Sequence, residues 1–182
     1  MIKILDNYLP EPDLEAQEAE WANYQDLVFN GTTYPQIAIC NNDEARVNEI
    51  SEIVGKKLTA SLPPFYRKYL PTDAQPTYIH SDVGEGDYTV IIFLNKINEN
   101  NGLAFWEHAN GEEKANKLSV GRYALDGLDE TKWLTPKVVP AQYNRAVVFS
   151  SALFHSRWPR NNWLIGQDTA RVIKVMFLKE VV

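Results

Sequence analysis

Three histidines, at positions 80, 108 and 155, are the residues of this chain with the most chemistry in reach. His80 stands two residues before Asp82 in TYIHSD, a segment with the composition of a strand. Alternation along a strand sends both side chains to one face, where they can share a metal ion. His155, in the later segment ALFHSRW, is the candidate third ligand. Two imidazoles and one carboxylate on one side of a metal leave the opposite positions open. That suits Fe(II) that must bind an organic chelator and dioxygen together. Given three histidines and ten aspartates, an H-x-D pair arises by chance in roughly one such sequence in six, so the pair is weak by itself. Its position near the start of a strand-rich region, with His155 near the end, strengthens it.

Arg171 opens the last strand-like segment, ARVIKVMFL. A dicarboxylate that chelates iron at one end needs a cation for its distal carboxylate, and guanidinium offers a planar, bidentate match. An arginine at that place is otherwise a solvated strand end. Lys174 is a rival cation, but alternation sets it on the opposite face, so only one of the two should point inward.

Other conspicuous residues have plainer explanations. His108 lies just before a polar loop and is expected to be exposed, with no partner at metal-binding spacing except Glu107, which alternation turns away. Trp158 and Trp163, in SRWPRNNWLIGQD, either line the mouth of a site or cap the core from outside. Arg157 and Arg160 in the same segment could meet an acidic substrate but are expected to be solvated.

The elements that must position these residues follow from composition. The chain of 182 residues is 45% hydrophobic and 23% charged, ordinary for one globular domain. Net charge is −6 with scattered Lys and Arg, so nucleic acid is a poor first guess for a partner. Cys40 is the single cysteine, which excludes an intramolecular disulfide or thiolate cluster and fits a reducing compartment. MIKILDNYLPEPD lacks a signal peptide's apolar stretch and no run approaches a membrane span, so a cytoplasmic protein without membrane association is expected.

Pro12 to Tyr24 reads as a helix that opens on a proline. Asn41 or Asn42 can cap a second helix carrying Val47, Ile50, Val54 and Leu58 at helical spacing, with Gly31 to Ile39 extended between the two. The proline-dense stretch 61–76 reads as a connection. Beyond it, TYIHSD, YTVIIFLN, LAFWEH, WLTPKVV, RAVVFSS, ALFHSRW and ARVIKVMFL have the cadence of an antiparallel β-sandwich or barrel. The expected fold is mainly β with flanking helices, in the jelly-roll group. It is expected as one domain, 1–182, with an N-terminal helical support region (1–60) and a β core (69–182).

TYIHSDVGEGDYTVIIFLNK, NGLAFWEH, NRAVVFSSALFHSRW and DTARVIKVMFL, taken in this order, resemble the 2-oxoglutarate and Fe(II)-dependent oxygenases, in particular their prolyl-hydroxylase-like branch. The resemblance runs from about Tyr69 to Leu178, while the opening ILDNYLP is only loosely similar. It implies a double-stranded β-helix, with His80, Asp82 and His155 as iron ligands and Arg171 pairing with the distal carboxylate of 2-oxoglutarate. It also implies hydroxylation of an unactivated C–H bond, coupled to decarboxylation of 2-oxoglutarate to succinate. Three positions depart from the pattern. Phe93 stands where the family often places a cosubstrate-binding tyrosine. Tyr69 corresponds to another family tyrosine only after a one-residue shift. Asn101 and Gly102 replace paired glycines, a change a tight turn tolerates.

Two other classes stay open on sequence alone: a non-catalytic jelly-roll binding module, or inactive relative, and a cupin-like metal protein that uses no 2-oxoglutarate. Asp82 weakens the second, since cupins usually draw on H-x-H. The substrate, a small molecule or a peptide, would be selected by loops 61–76, 109–132 and 157–170, and its identity and the oligomeric state are not written in any motif.

Overall fold

The computed structural model describes residues 1–29, 32–41, 43–70, 77–96, 100–161 and 170–181. Eleven strands and three α-helices lie among them. In chain order these are β1 (Ile2–Leu5), α1 (Pro12–Trp21), β2 (Gln25–Phe29), β3 (Thr32–Ile39), α2 (Glu44–Val54), β4 (Leu58–Ala60), β5 (Phe65–Tyr69), β6 (Tyr88–Phe93), β7 (Gly102–Phe105), α3 (Val120–Asp126), β8 (Lys137–Pro140), β9 (Ala146–Ser150), β10 (His155–Trp158) and β11 (Arg171–Glu180). No helix among the described residues is long and apolar enough to cross a membrane.

Two antiparallel sheets face each other. The larger has the order β1-β9-β6-β11-β5-β3-β2 with β4 also on β11, and the smaller is β10-β7-β8. Strand alternation separates two cores across the large sheet. Ile91 and Phe93 of β6, Val147 and Phe149 of β9, and Ile173 and Val175 of β11 point at the small sheet and meet Leu103, Phe105 and Val139. Val90, Ile92, Val148, Met176 and Leu178, on the other face, meet Ala19 of α1 and Ile50 of α2. A third cluster, with Trp106, Tyr123, Trp133 and Phe154, lies where α3 covers the outer face of the small sheet.

The N-terminal 60 residues are less helical than their composition implies, because β1, β3 and β4 join β9, β5 and β11 of the large sheet. The cap of α2 is Asp43, whose side chain accepts from Arg46 N at 3.1 Å, while Asn42 lies outside the described residues. The first helix stops at Trp21, and Leu58 belongs to β4 rather than to α2. The stretch 61–76 holds a strand, β5, whose alternating Phe65, Arg67 and Tyr69 were masked by the prolines around them. The loop 109–132 likewise contains α3. Gly102 is more constrained than a tight turn would make it. A Cβ there would stand 2.2 Å from the Val139 carbonyl oxygen, so only glycine permits β7 to approach β8 this closely.

Asn144 pins the N-terminal segment to the sheet. Leu9 N donates to its Oδ1 at 2.7 Å and its Nδ2 donates to Leu9 O at 3.0 Å, while Tyr8 N donates to its carbonyl at 3.0 Å. Its φ of 61° is a left-handed conformation that asparagine tolerates better than alanine. Asn144→Ala strands the Leu9 N–H and C=O in a buried place. The expected loss is about 3 kcal/mol, seen as a lower urea midpoint with an unchanged m-value.

Candidate metal centre

His80 and Asp82 do not lie in a regular strand. His80 instead forms an isolated antiparallel bridge with His155, the first residue of β10, through His80 N to His155 O at 3.0 Å and His155 N to His80 O at 2.8 Å. This bridge faces the two imidazoles toward each other, with ring centroids 4.4 Å apart. Asp82 N donates to Ser151 O at 2.7 Å in the turn after β9, which places the carboxylate between the rings. One ligand atom from each of His80, Asp82 and His155 can be chosen so that all lie within 4.8 Å of one another.

Backbone carbonyls settle how the rings present themselves. Nδ1 of His80 lies 3.1 Å from Tyr78 O and Nδ1 of His155 lies 3.0 Å from Leu153 O. A carbonyl only accepts, so both Nδ1 atoms carry hydrogen and both Nε2 atoms face the carboxylate, at 3.5 and 3.2 Å. Burial favours neutral His80, and the charge of His155 adds to this, pushing its pKa down to about 4. Burial works against charge on His155 too, but there the Asp82 carboxylate outweighs it and raises the pKa. Asp82 is held near 2, since His155, His80 and the Thr89 hydroxyl together overcome its desolvation. Two Nε2 lone pairs and a carboxylate favour a cation between them, and without metal the Asp82 carboxylate favours a proton on His155 in that role.

A pH dependence follows. A metal ion must displace the proton of His155, whereas His80 and Asp82 are already free at neutral pH. Affinity for Ni(II) is therefore expected to fall about tenfold per pH unit below the raised pKa of His155 and to flatten above it, with a steeper slope below about pH 4 as His80 joins. In the metal-free protein the sign reverses. The His155–Asp82 pair stabilises fully below pH 6.5, and that contribution disappears as pH rises through the His155 pKa. Calorimetric nickel titrations at several pH values check the first trend, and thermal melts with and without metal check the second.

Neighbours hold the ligands in place. Thr89 of β6 donates to Asp82 Oδ2 at 3.0 Å and takes a hydrogen bond from the Ser151 hydroxyl at 2.8 Å. Its parity with Phe93 on one strand face was the available signal. Arg160 braces the segment that leads into His80: Nε donates to Thr77 O at 2.7 Å, Nη2 to Gly127 O at 2.9 Å and Nη1 to Glu130 Oε1 at 2.9 Å.

Arg171 lies 1% exposed on the inner face of β11. It is registered opposite Tyr69 of β5, and its guanidinium carbon is 5.2 Å from the Phe93 ring centroid and 5.5 Å from that of Tyr69. Nη1 donates to Gly102 O at 3.1 Å, while the buried Nε has no hydrogen-bond partner among the described residues. Burial and the charges of Arg157 and Arg67 bear against its own charge. Lys174 sits on the opposite face and pairs with Glu15 at 2.8 Å.

The expectations for His108 and for Arg157 and Arg160 are corrected, while Trp158 takes the outer of its two alternatives. His108 is buried, and its Nε2 lies 3.2 Å from Asp126 while the Trp133 ring packs edge-on against it. Arg157 and Arg160 are 5% and 3% exposed rather than solvated. Trp158 packs against Trp106 on the outer face of the small sheet, and Trp163 lies outside the described residues.

No family model and no curated protein matches the chain in sequence. Solved structures do resemble it. HygX from Streptomyces hygroscopicus, with nickel, 2-oxoglutarate and hygromycin B bound, is 11% identical at a TM-score of 0.59, covering 97% of this chain and 82% of its own. The non-heme alpha-ketoglutarate-dependent epimerase SnoN from nogalamycin biosynthesis is 12% identical at 0.61, covering 98% and 77%. An oxidoreductase of the 2OG-Fe(II) oxygenase family from Burkholderia pseudomallei is 10% identical at 0.61, covering 97% and 84%. At such identities the likeness is one of fold, and the fold this chain shares is that of 2-oxoglutarate-dependent non-haem enzymes.

Proposed function

We propose that the protein is an Fe(II)- and 2-oxoglutarate-dependent oxygenase built on a double-stranded β-helix formed by the two facing sheets. The observation that carries this is the pairing of an Nε2–carboxylate–Nε2 cluster with a buried arginine, Arg171, whose Nε has no hydrogen-bond partner among the described residues. The donor set fits Fe(II): two borderline imidazole nitrogens and one hard carboxylate. An orphaned guanidinium nitrogen in a dry, aromatic-walled place fits the distal carboxylate of the cosubstrate.

When bound, iron and 2-oxoglutarate supply the oxidation of a C–H bond coupled to loss of carbon dioxide and formation of succinate. The chain's own part is placement. The Tyr78 and Leu153 carbonyls hold His80 and His155 in the tautomer that ligates, Thr89 orients Asp82, and Phe93 and Tyr69 flank Arg171. Tyr69, which we take as the counterpart of a family tyrosine, stands next to Arg171, and Phe93 gives Arg171 a ring face where a hydroxyl would have given an extra hydrogen bond. Hydroxylation of a small molecule is the reaction we assign, in line with the resemblance to the prolyl-hydroxylase-like branch. Purified protein supplied with Fe(II), ascorbate and 2-oxoglutarate should release succinate, faster when a cell extract supplies substrate. Absence of both succinate and any metal-dependent absorption change would sink the proposal.

A further inference from the structure

One aromatic ring on the inner face of the large sheet is surrounded by three guanidinium groups. Arg67 of β5, Arg157 of β10 and Arg171 of β11 place their guanidinium carbons 4.7, 5.2 and 5.5 Å from the centroid of the Tyr69 ring. Arg67 also lies 5.9 Å from the centroid of the Tyr34 ring and bears electrostatically on Tyr78. The Tyr78 ring packs on His80 with centroids 4.9 Å apart, and Arg67 lies within electrostatic reach of both Arg171 and His80.

Ring faces soften the repulsion of grouped cations but supply no counter-charge. Among the described residues no carboxylate forms an ion pair with Arg67 or Arg171, and the buried Nε of each has no hydrogen-bond partner. Metal and cosubstrate do not remove the excess. Asp82 and one carboxylate of 2-oxoglutarate balance a ferrous ion, and the other carboxylate balances Arg171. Among the described residues Arg67, half-buried beside the Tyr69 and Tyr34 rings, is left over.

We infer that Arg67 forms a second oxyanion subsite that receives a carboxylate or phosphate group of the substrate. This rests on the oxygenase reading and narrows it: the substrate is a small anionic metabolite, oriented by its anion so that a C–H bond faces the metal.

The test uses nickel-loaded protein saturated with 2-oxoglutarate, titrated calorimetrically with inorganic phosphate and, separately, with acetate. At least one should bind saturably, and which of them binds tells phosphate from carboxylate. Arg67→Gln should weaken that binding by about tenfold or more, while 2-oxoglutarate affinity stays within about twofold of wild type. Arg67 is only partly buried, so this variant should fold, and its unchanged nickel and cosubstrate binding verifies that it has. The inference is overturned if neither anion binds wild type or if the variant binds them equally well. It is also overturned if Arg67→Gln weakens 2-oxoglutarate binding as much as loss of Arg171 does, which would make Arg67 a cosubstrate residue. Wild-type protein that takes up no 2-oxoglutarate at all overturns the oxygenase reading itself, a result separable from failure of the anion arm with cosubstrate binding intact.

Discussion

Asp82→Asn protein is expected to lose metal affinity by more than about 100-fold, because removing a mere outer-shell partner of a ligand already costs 10–100-fold. Succinate formation should fall to background with it. The substitution keeps shape and can still accept from Thr89, so it isolates the charge. It also withdraws the anion that holds a proton on His155. His155 then becomes neutral rather than a stranded buried cation, and the fold should lose no more than about 1–2 kcal/mol. The expected signature is a nickel titration without saturation in a protein whose melting temperature moves by a few degrees. A variant that binds nickel normally would remove Asp82 from the ligand set.

Arg171→Met separates the cosubstrate from the metal. Two charge-assisted hydrogen bonds to a carboxylate contribute about 1.5–3 kcal/mol each, so 2-oxoglutarate affinity should fall by about 10²–10⁴-fold. Metal affinity should stay within about threefold, since none of the three ligands touches Arg171. Stability should move the other way. A buried cation with no counter-charge among the described residues is costly, and an apolar side chain of similar length relieves that cost, so the ligand-free variant should melt at or above wild type. A purely structural arginine, needed for its bond to Gly102, would instead melt lower. A cupin-like protein that ignores 2-oxoglutarate, or a binding module without redox chemistry, predicts no cosubstrate effect of the substitution.

Much of the site could be read in one dimension because strand periodicity is local. The parity of Arg171 and Lys174 on β11 sent one inward and the other to Glu15, whereas His80 and Asp82, outside any regular strand, meet through the bridge to His155 and the turn after β9. Most strand segments were marked by β-branched and aromatic runs. What stayed hidden depended on distant partners. His108 is buried because Asp126, eighteen residues on, receives its Nε2, and Arg160 because Thr77, eighty-three residues back, accepts from it. Arg67 escaped notice for a different reason, since the prolines around FYRKY disguised β5 as a connection and hid the strand that carries the cation.

The central position of β11 has a consequence for how the protein is made. It is the last strand in the sequence, yet it joins the β1-β9-β6 half of the large sheet to the β5-β3-β2 half and carries β4 as well. During synthesis the two halves have no shared edge until residues 171–180 leave the ribosome, and the exposed faces of β6 and β5 are open to wrong pairing for that time. Folding of the large sheet therefore waits for β11, is dominated by long-range contacts and is correspondingly slow. A nascent chain stopped before Arg171 should be sensitive to protease in a way that the released protein is not.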